Sequence, residues 1–273
     1  MQDVHEDYLL SRKRIFSATV IVIIITLLSK ISGLARDQVM TGYFGMSYDT
    51  DAYTWAFFIP NLFKILFAES LIIAAFIPIY SSYLKEKKNE EIRIFINSVT
   101  NIMVLFFIFI SLVIFIFSPQ IGILLSKIAN NLMDVNKFII MSRIMSFSVL
   151  TLSISGLATG ILNTHNIFTI PSFAPFVLNI MTILFVIVLS PRWGIISIAV
   201  GTMVGSVLQL VIQIPQLKVS KIKYSFKIDF KNKAVREILS LMLPILLSLG
   251  AVQINVSVDK FCCPSADHAA IFA

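Results

Sequence analysis

Long apolar runs, separated by short polar stretches, fill most of the chain. A membrane-spanning helix needs about 20 mostly apolar residues. Seven runs have that character: 15–34, 51–83, 94–118, 137–162, 171–190, 194–217 and 237–259. The pattern predicts an all-α polytopic membrane protein whose first run is a retained span rather than a cleaved signal. The second run contains Pro60 and Pro78, and we expect the helix to kink there.

The polar stretches divide the chain into unequal parts. Residues 1–217 are predicted to form a six-helix transmembrane lobe, and 237–259 a seventh transmembrane helix that starts a second lobe. The basic, amphipathic linker 218–236 is either an interfacial strap on anionic lipid or a solvated loop. Residues 260–273 continue no apolar run, so we expect an atypical tail, produced by truncation or an altered reading frame.

Basic residues are distributed unevenly between the two sets of connections. With the amino terminus in the cytoplasm, the segments 1–14, 84–93, 163–170 and 218–236 hold 14 Lys and Arg residues. The opposite segments, 35–50, 119–136 and 191–193, hold 3. Cytoplasmic loops of membrane proteins carry the excess of Lys and Arg. The count therefore predicts a cytoplasmic amino terminus and supports the assignment of the spans.

Composition narrows the possible functions. Hydrophobic residues make up 57% of the chain and charged residues 14%, against about 25% charged in soluble domains. We attribute the net charge of +7 to basic loops that orient the protein in the membrane and contact anionic headgroups, not to nucleic-acid binding. The only cysteines are the adjacent Cys262 and Cys263. We see no catalytic constellation, metal site or cofactor motif, so an enzyme is not expected.

Charged residues within the apolar runs are the candidate functional groups. They are costly in hydrocarbon and usually face a cavity. The cations are Lys30, Arg36, Lys64 and Arg143, and the acids near them are Asp37, Asp51 and Glu69. Snorkelling to the interface is the alternative for the first two cations and for Arg143, whereas Lys64 lies too deep for it. The set predicts a hydrated, cationic cavity between helices, suited to a phosphate.

Helical geometry limits the pairing of these groups. In an unbroken α-helix, Asp51 and Glu69 are eighteen residues apart and share a face. Lys64 then points about 140° away from Glu69. Because Pro60 interrupts the helix, this register leaves open whether Lys64 and Glu69 pair.

Several motifs together resemble the MurJ/MviN lipid II flippases of the MOP exporter superfamily. The resemblance extends over almost the whole chain, up to about Asp259. The matching motifs are Ser29-Lys30-Ile-Ser-Gly33-Leu-Ala-Arg36-Asp37, Phe44-Gly45, Thr50-Asp51-Ala52-Tyr53, Pro60-Asn61-Leu62-Phe63-Lys64, Phe67-Ala68-Glu69, Ala75-Phe76-Ile77-Pro78, Gly160-Ile161-Leu162-Asn163-Thr164, Ile170-Pro171-Ser172-Phe173-Ala174-Pro175, Leu208-Gln209, Pro215 and Gln253-Ile254-Asn255 with Asp259.

The resemblance implies two six-helix lobes around a central cavity and a role in moving lipid-linked peptidoglycan precursor across the bacterial cytoplasmic (inner) membrane by alternating access. Its partners would be lipid II and membrane lipid. We expect the substrate to be bound by Lys30, Arg36, Asp51, Lys64, Glu69 and Arg143. Structural or gating roles are expected for Gly33, Asp37, Pro60 and Asn61. The family often has Arg where this chain has Lys30 and Lys64.

The chain departs from the family in length, since a second lobe of similar size is missing. It is therefore expected to be a fragment, or to need a partner that supplies the other lobe. Two alternatives stay open. One is an exporter of lipid-linked polysaccharide from the same superfamily, and the other is a non-transporting membrane scaffold or remnant.

Overall fold

Helices account for nearly all of the part of the chain that the computed structural model describes. That part comprises residues 2–86, 89–128, 133–220, 224–229, 232–238, 240–241 and 244, without the side chains of 2–18, 67–70 and 220. The helices are α1 (Gln2–Phe44), α2 (Tyr48–Phe63), α3 (Ile77–Glu86), α4 (Asn89–Ile128), α5 (Val135–Thr164), α6 (Thr169–Trp193) and α7 (Ile196–Val211). A π-helical segment, Lys64–Phe76, joins α2 to α3, and a 3₁₀ helix, Ile214–Ser220, follows α7.

Six of these stretches are long and apolar enough to cross a membrane. They are Thr19–Phe44, Tyr48–Glu86, Asn89–Lys127, Val135–Thr164, Thr169–Trp193 and Ile196–Val219. They confirm the six predicted spans of the amino-terminal lobe. Most of the predicted seventh span, 237–259, lies outside the described residues, as does the predicted tail 260–273.

The first span is longer than predicted. Residues 35–44 were expected to leave the membrane as an outer loop, but α1 continues to Phe44. Gly45 ends it with a φ of 64°, a conformation that glycine adopts without steric cost. Ser47 then caps α2 by accepting a hydrogen bond from the Thr50 backbone N–H. Arg36 and Asp37 therefore lie within the first helix, not in a loop.

The second span changes its hydrogen-bond pattern after Pro60. Instead of ending there, the helix passes from α to π geometry at Lys64 and returns to α geometry at Ile77. A π-helix pairs residues five apart, so the α-helical register between Asp51 and Glu69 does not hold. The angle of 140° between Lys64 and Glu69 was derived from that register and is wrong for the same reason.

Helix α5 lies at the centre of the lobe. It packs against α2, α4, α7 and the π-helical segment, while α6 packs against both α1 and α7. Close approach of α6 and α7 depends on Gly201 and Gly205, because a Cβ at Gly205 would lie 2.8 Å from the Leu178 carbonyl oxygen. Small residues four apart are a common contact between membrane helices.

At one end of the lobe, an ion pair links the start of α2 to the start of α5. Lys137, in the first turn of α5, donates to an Asp49 carboxylate oxygen at 2.5 Å, and the Asp134 backbone N–H donates to the Tyr48 carbonyl at 3.4 Å. These contacts join the turn between α1 and α2 to the start of α5. The ion pair is partly exposed, so it contributes little on its own.

At the opposite end, the turn between α5 and α6 contacts α3. The Tyr80 hydroxyl and His165 Nε2 lie 2.8 Å apart. Partial burial lowers the pKa of His165 below the ordinary histidine value, which favours the neutral ring beside the tyrosine. His165 thus links the turn between α5 and α6 to α3.

The linker after the sixth span binds to α4. Residues 224–229 are extended rather than helical. Asn101 Nδ2 donates to the Ser225 and Lys227 carbonyls at 3.1 and 3.0 Å, and the Tyr224 hydroxyl donates to Asn101 Oδ1 at 2.6 Å. In this stretch the linker is therefore a strap fixed to protein, neither an amphipathic helix nor a free loop.

Candidate functional site

A cavity of about 340 Å³ opens between the helices of the lobe. Five elements contribute to its wall: α1, the second span, α5, α6 and α7. The lining residues are Ser29, Lys30, Gly33, Arg36, Phe57, Asn61, Lys64, Leu152, Pro175, Leu178, Asn179 and Gln209. Polar and charged side chains in this set come from several helices, so the cavity is a polar site within the bundle.

Three of the predicted cations meet in this cavity. Lys30 and Arg36 enter it from α1, and Lys64 enters it from the first residue of the π-helical segment. Among the residues whose side chains the structure describes, none that lines the cavity carries a carboxylate. The wall therefore carries an excess of positive charge, and it would stabilise an anion that enters the cavity.

Arg36 is held in place rather than snorkelling. Its Nε and Nη2 both donate to Asp37 Oδ1, at 3.0 and 2.8 Å, and its Nη1 donates to Asn179 Oδ1 at 3.3 Å. The guanidinium carbon lies 5.4 Å from the centre of the Phe57 ring. The side chain is only 17% exposed. Asp37 thus positions Arg36 and partly neutralises it.

Asn179 connects α6 to α1 and was not predicted. Its Nδ2 donates to Ser32 Oγ at 3.0 Å and to the Ser29 carbonyl at 3.3 Å, while its Oδ1 accepts from Arg36. The residue is buried. Gly33 lies beside this amide, and a Cβ there would make an ordinary van der Waals contact, 3.5 Å from Asn179 Nδ2. A lone amide in the apolar run 171–190 was the signal that could have found it.

Lys64 stands between two cavities. It also lines a second, smaller one of about 160 Å³, together with Ser155, Thr159, Asn163 and Gln209. These four neighbours carry hydroxyl or amide groups, and the rest of the described lining apart from Lys64 is apolar. The lysine therefore marks the boundary between a cationic region and a neutral polar region.

Glutamine side chains fix the wall between α5 and α7. Ser155 Oγ accepts from Gln209 Nε2 at 3.1 Å and from Gln213 Nε2 at 2.6 Å. Thr159 Oγ1 donates to Gln213 Oε1 at 3.1 Å. In the sequence, Gln209 stands out only as part of the motif Leu208-Gln209. This network satisfies buried polar groups that would be costly if left unpaired.

The remaining predicted residues lie in different surroundings. Asn61 lines the cavity, whereas Pro60 is buried in α2 and is not part of its wall. Asp51 is half-buried in α2 and does not line the cavity either. The side chain of Glu69 lies outside the described residues.

Arg143 does not lie with the other cations. It is exposed, its Nε donates to Ser118 Oγ at 3.1 Å, and its guanidinium lies over the Phe115 ring. Both partners belong to α4, so the side chain points away from the cavity formed by α1, α6 and α7. The expectation that the fourth span adds a cation to the cavity is corrected, because packing turns that face of α5 outward.

The lobe has the fold of about half of several solved membrane transporters. An outward-facing multidrug-resistance MATE transporter of the MOP superfamily superposes with a TM-score of 0.65 over 89% of this chain and 52% of the other, at 16% identity, which shows the fold alone. A lipid II flippase MurJ in an inward closed conformation superposes with a TM-score of 0.76 at 30% identity, over 92% of this chain and 52% of that one.

Sequence comparison defines the family. The family described as lipid II flippase MurJ matches residues 40–271. A probable lipid II flippase MurJ of Buchnera aphidicola subsp. Schizaphis graminum is 36% identical over 254 residues, which cover 89% of this chain and 48% of the relative. The lipid II flippase MurJ of Burkholderia cenocepacia is 29% identical over 252 residues, 90% of this chain and 49% of the relative. This chain belongs to the lipid II flippase MurJ family, and it spans about half the length of these relatives.

Proposed function

We propose that this chain forms the amino-terminal lobe of a lipid II flippase. It acts in the bacterial cytoplasmic membrane, with its amino terminus in the cytoplasm, and moves a lipid-linked peptidoglycan precursor from the inner to the outer leaflet. The meeting of Lys30, Arg36 and Lys64 in one cavity is the observation that carries this proposal. The excess of basic residues in the segments assigned to the cytoplasm supports the orientation.

The chemistry of the cavity suits a phosphorylated headgroup. Ammonium groups bind phosphate as point charges, and a guanidinium can bind it with two parallel bonds. Arg36 is already engaged by Asp37 and Asn179, so it offers a fixed positive edge. Lys30 is exposed in the cavity wall and is the more adaptable contact. The lipid tails would stay in the bilayer while the headgroup enters the cavity.

The neutral region around Lys64 adds to this assignment. A sugar or peptide attached to the phosphate carries many hydroxyl and amide groups. Asn163 and Gln209 in the second cavity are suitable partners for such groups, whereas Ser155 and Thr159 are engaged in the glutamine network. A substrate with a charged part and a long neutral polar part matches two joined cavities of different character.

Transport by alternating access requires a second wall opposite the cavity. Because the chain spans about half the length of its relatives, we propose that a second lobe completes the site. The expected roles of Asp51 and Glu69 in substrate binding rest on the sequence and on the resemblance to the family.

Rescue of a bacterium depleted of its own flippase tests this function. The chain is expressed in two forms: alone, and fused to the second lobe of the Burkholderia cenocepacia relative. Growth and the appearance of precursor in the outer leaflet are measured for each form. We expect rescue by the joined protein. Lys64→Ala should lower flipping by about tenfold or more, because a charge-assisted contact is worth about 1.5–3 kcal/mol. Lys64→Arg should retain activity.

Arg192→Ala is the matched control, because Arg192 is an exposed cation at the end of α6, remote from the cavity lining. It should leave flipping unchanged. Unchanged flipping by Lys64→Ala at equal membrane level would refute the role of the cavity. A joined protein that inserts normally and yet rescues nothing would favour a scaffold instead.

A further inference from the structure

Arg143 is a cation on the outer surface of the lobe, at the seam between α4 and α5. The large side chains beside it are exposed apolar groups: Ile140 is 44% exposed, Phe147 50% and Phe115 41%. Such a surface faces lipid tails in a membrane protein, and charged groups there are rare and functional. The cavity does not use this arginine, so its position needs another explanation.

Its guanidinium is fixed by two contacts on α4. Nε donates to Ser118 Oγ at 3.1 Å, and Ser118 Oγ donates in turn to the Phe115 carbonyl at 3.1 Å. The ring of Phe115 lies 5.5 Å from the guanidinium carbon. Ser118 is buried and its hydroxyl proton is used in the bond to Phe115, so it can only accept from Arg143 and thereby orients the guanidinium. The ring of Phe115 covers one face of the guanidinium.

The other edge of the guanidinium is available. Among the described residues, no hydrogen bond to either Nη group is formed. With Nε bound to Ser118, the two Nη groups are the pair that can hold two oxygens of a phosphate. A permanently charged arginine with two donors pointing from an apolar surface is a preorganised site for an oxyanion.

The site lies in the part of the two spans that adjoins the connection between α4 and α5. Directly after Ser118, Pro119 and Gln120 interrupt the apolar run of α4, nine residues before the span ends at Lys127. On α5, Arg143 lies eight residues after Val135, which is about 12 Å along a helix. Side chains on a helix lean toward its amino terminus, which here is the membrane surface. A phospholipid phosphate is therefore within reach of the guanidinium.

We propose that Arg143 and Ser118 form a binding site for the phosphate of an anionic phospholipid, whose tails lie along Phe115 and Phe147. An anionic headgroup is favoured over a zwitterionic one, because it brings no ammonium group to compete with the guanidinium. The site is separate from the cationic cavity and does not depend on the proposed transport.

Native mass spectrometry of the full chain in detergent tests the site with added phosphatidylglycerol or phosphatidylcholine. The wild type should bind one phosphatidylglycerol more tightly than phosphatidylcholine. Arg143→Ala should weaken this first binding event on the order of tenfold, the size of one charge-assisted contact. Arg143→Lys keeps the charge without the fork, and Ser118→Ala removes the anchor, so both should give intermediate values. Arg192→Ala should bind as the wild type does.

Equal binding of phosphatidylglycerol by the wild type and Arg143→Ala would overturn the proposal. Equal affinity of the wild type for the two lipids would also overturn it. So would a change in the number of protein copies per particle in Arg143→Ala, because this would mean that the surface binds a second chain. If Arg143→Ala fails to fold, Arg143→Lys and Ser118→Ala decide: wild-type affinity in both would contradict the site.

Discussion

At the scale of single residues, the cavity depends on a neutral amide as much as on its cations. Asn179 accepts from Arg36 and donates to two groups of α1. It thereby sets both the position of the guanidinium and the distance between α1 and α6. In hydrocarbon such interhelical bonds contribute roughly 0.6–1.7 kcal/mol, so a side chain with three of them is a principal contact of this interface.

We expect Asn179→Ala to destabilise the lobe by about 1–2 kcal/mol, because it leaves Ser32 and one Arg36 donor without their partner. The midpoint of thermal unfolding in detergent measures the effect. Gln38→Ala is the matched control, since Gln38 is an exposed amide on α1 and its loss should change little. Equal midpoints for the two variants would contradict the role assigned to Asn179.

The candidate site was predictable only in part at this scale. Lys30, Arg36 and Lys64 could be selected because a charge in an apolar run needs a polar environment. The same reasoning selected Arg143, which faces outward. The rotation of a helix about its axis is set by packing against its neighbours, and a charge alone does not reveal it. Asn179 was missed because a single amide barely alters the apolar character of its run.

At the scale of helices, close packing of α6 on α7 shapes the wall of the cavity. Gly201 and Gly205 lie four residues apart, and a Cβ at Gly201 would lie 2.8 Å from Phe185 Cβ. Leu178 and Asn179 belong to the same stretch of α6 that Gly205 contacts. A change in this packing would therefore displace the cavity wall as well as the interface.

Gly205→Val should separate α6 from α7 and destabilise the lobe by about 1–3 kcal/mol, as overpacking does elsewhere. Gly42→Ala is the control, because a Cβ at Gly42 meets nothing within 4 Å. It should be neutral or stabilising, as alanine is the better helix former by about 1 kcal/mol. Unfolding midpoints of both variants are compared with the wild type, and a neutral Gly205→Val would argue against the close contact.

The helices themselves were largely predictable, since crossing a bilayer demands a fixed length of apolar sequence. Six predicted runs are six spans. The end of α1 was misplaced because Arg36 and Asp37 looked like the start of a loop. In the structure they bond to each other, so the helix passes through them and ends at Gly45. The π-helical segment after Pro60 changes which residues face the cavity, and a fixed period of 3.6 residues could not anticipate it.

At the scale of the whole molecule, one lobe supplies a cationic cavity with a neutral extension. Five of its elements contribute to the wall, so the site is a property of the assembled bundle rather than of any motif. The strap 224–229 and helical residues 233–238 lie against the opposite side of the lobe, where Val235 and Ile238 join the core around Phe76 and Phe107. The described start of the next helix is thus attached to the lobe outside the cavity.

We expect Lys30, Arg36 and Lys64 together to bind a phosphorylated amphiphile. Titration of the purified full chain with lipid II measures the affinity directly, with microscale thermophoresis as the readout. The account predicts saturable binding that weakens at least tenfold in Lys30→Ala/Lys64→Ala, while Arg192→Ala binds as the wild type does. Equal affinity of the doubly substituted chain and the wild type would contradict it.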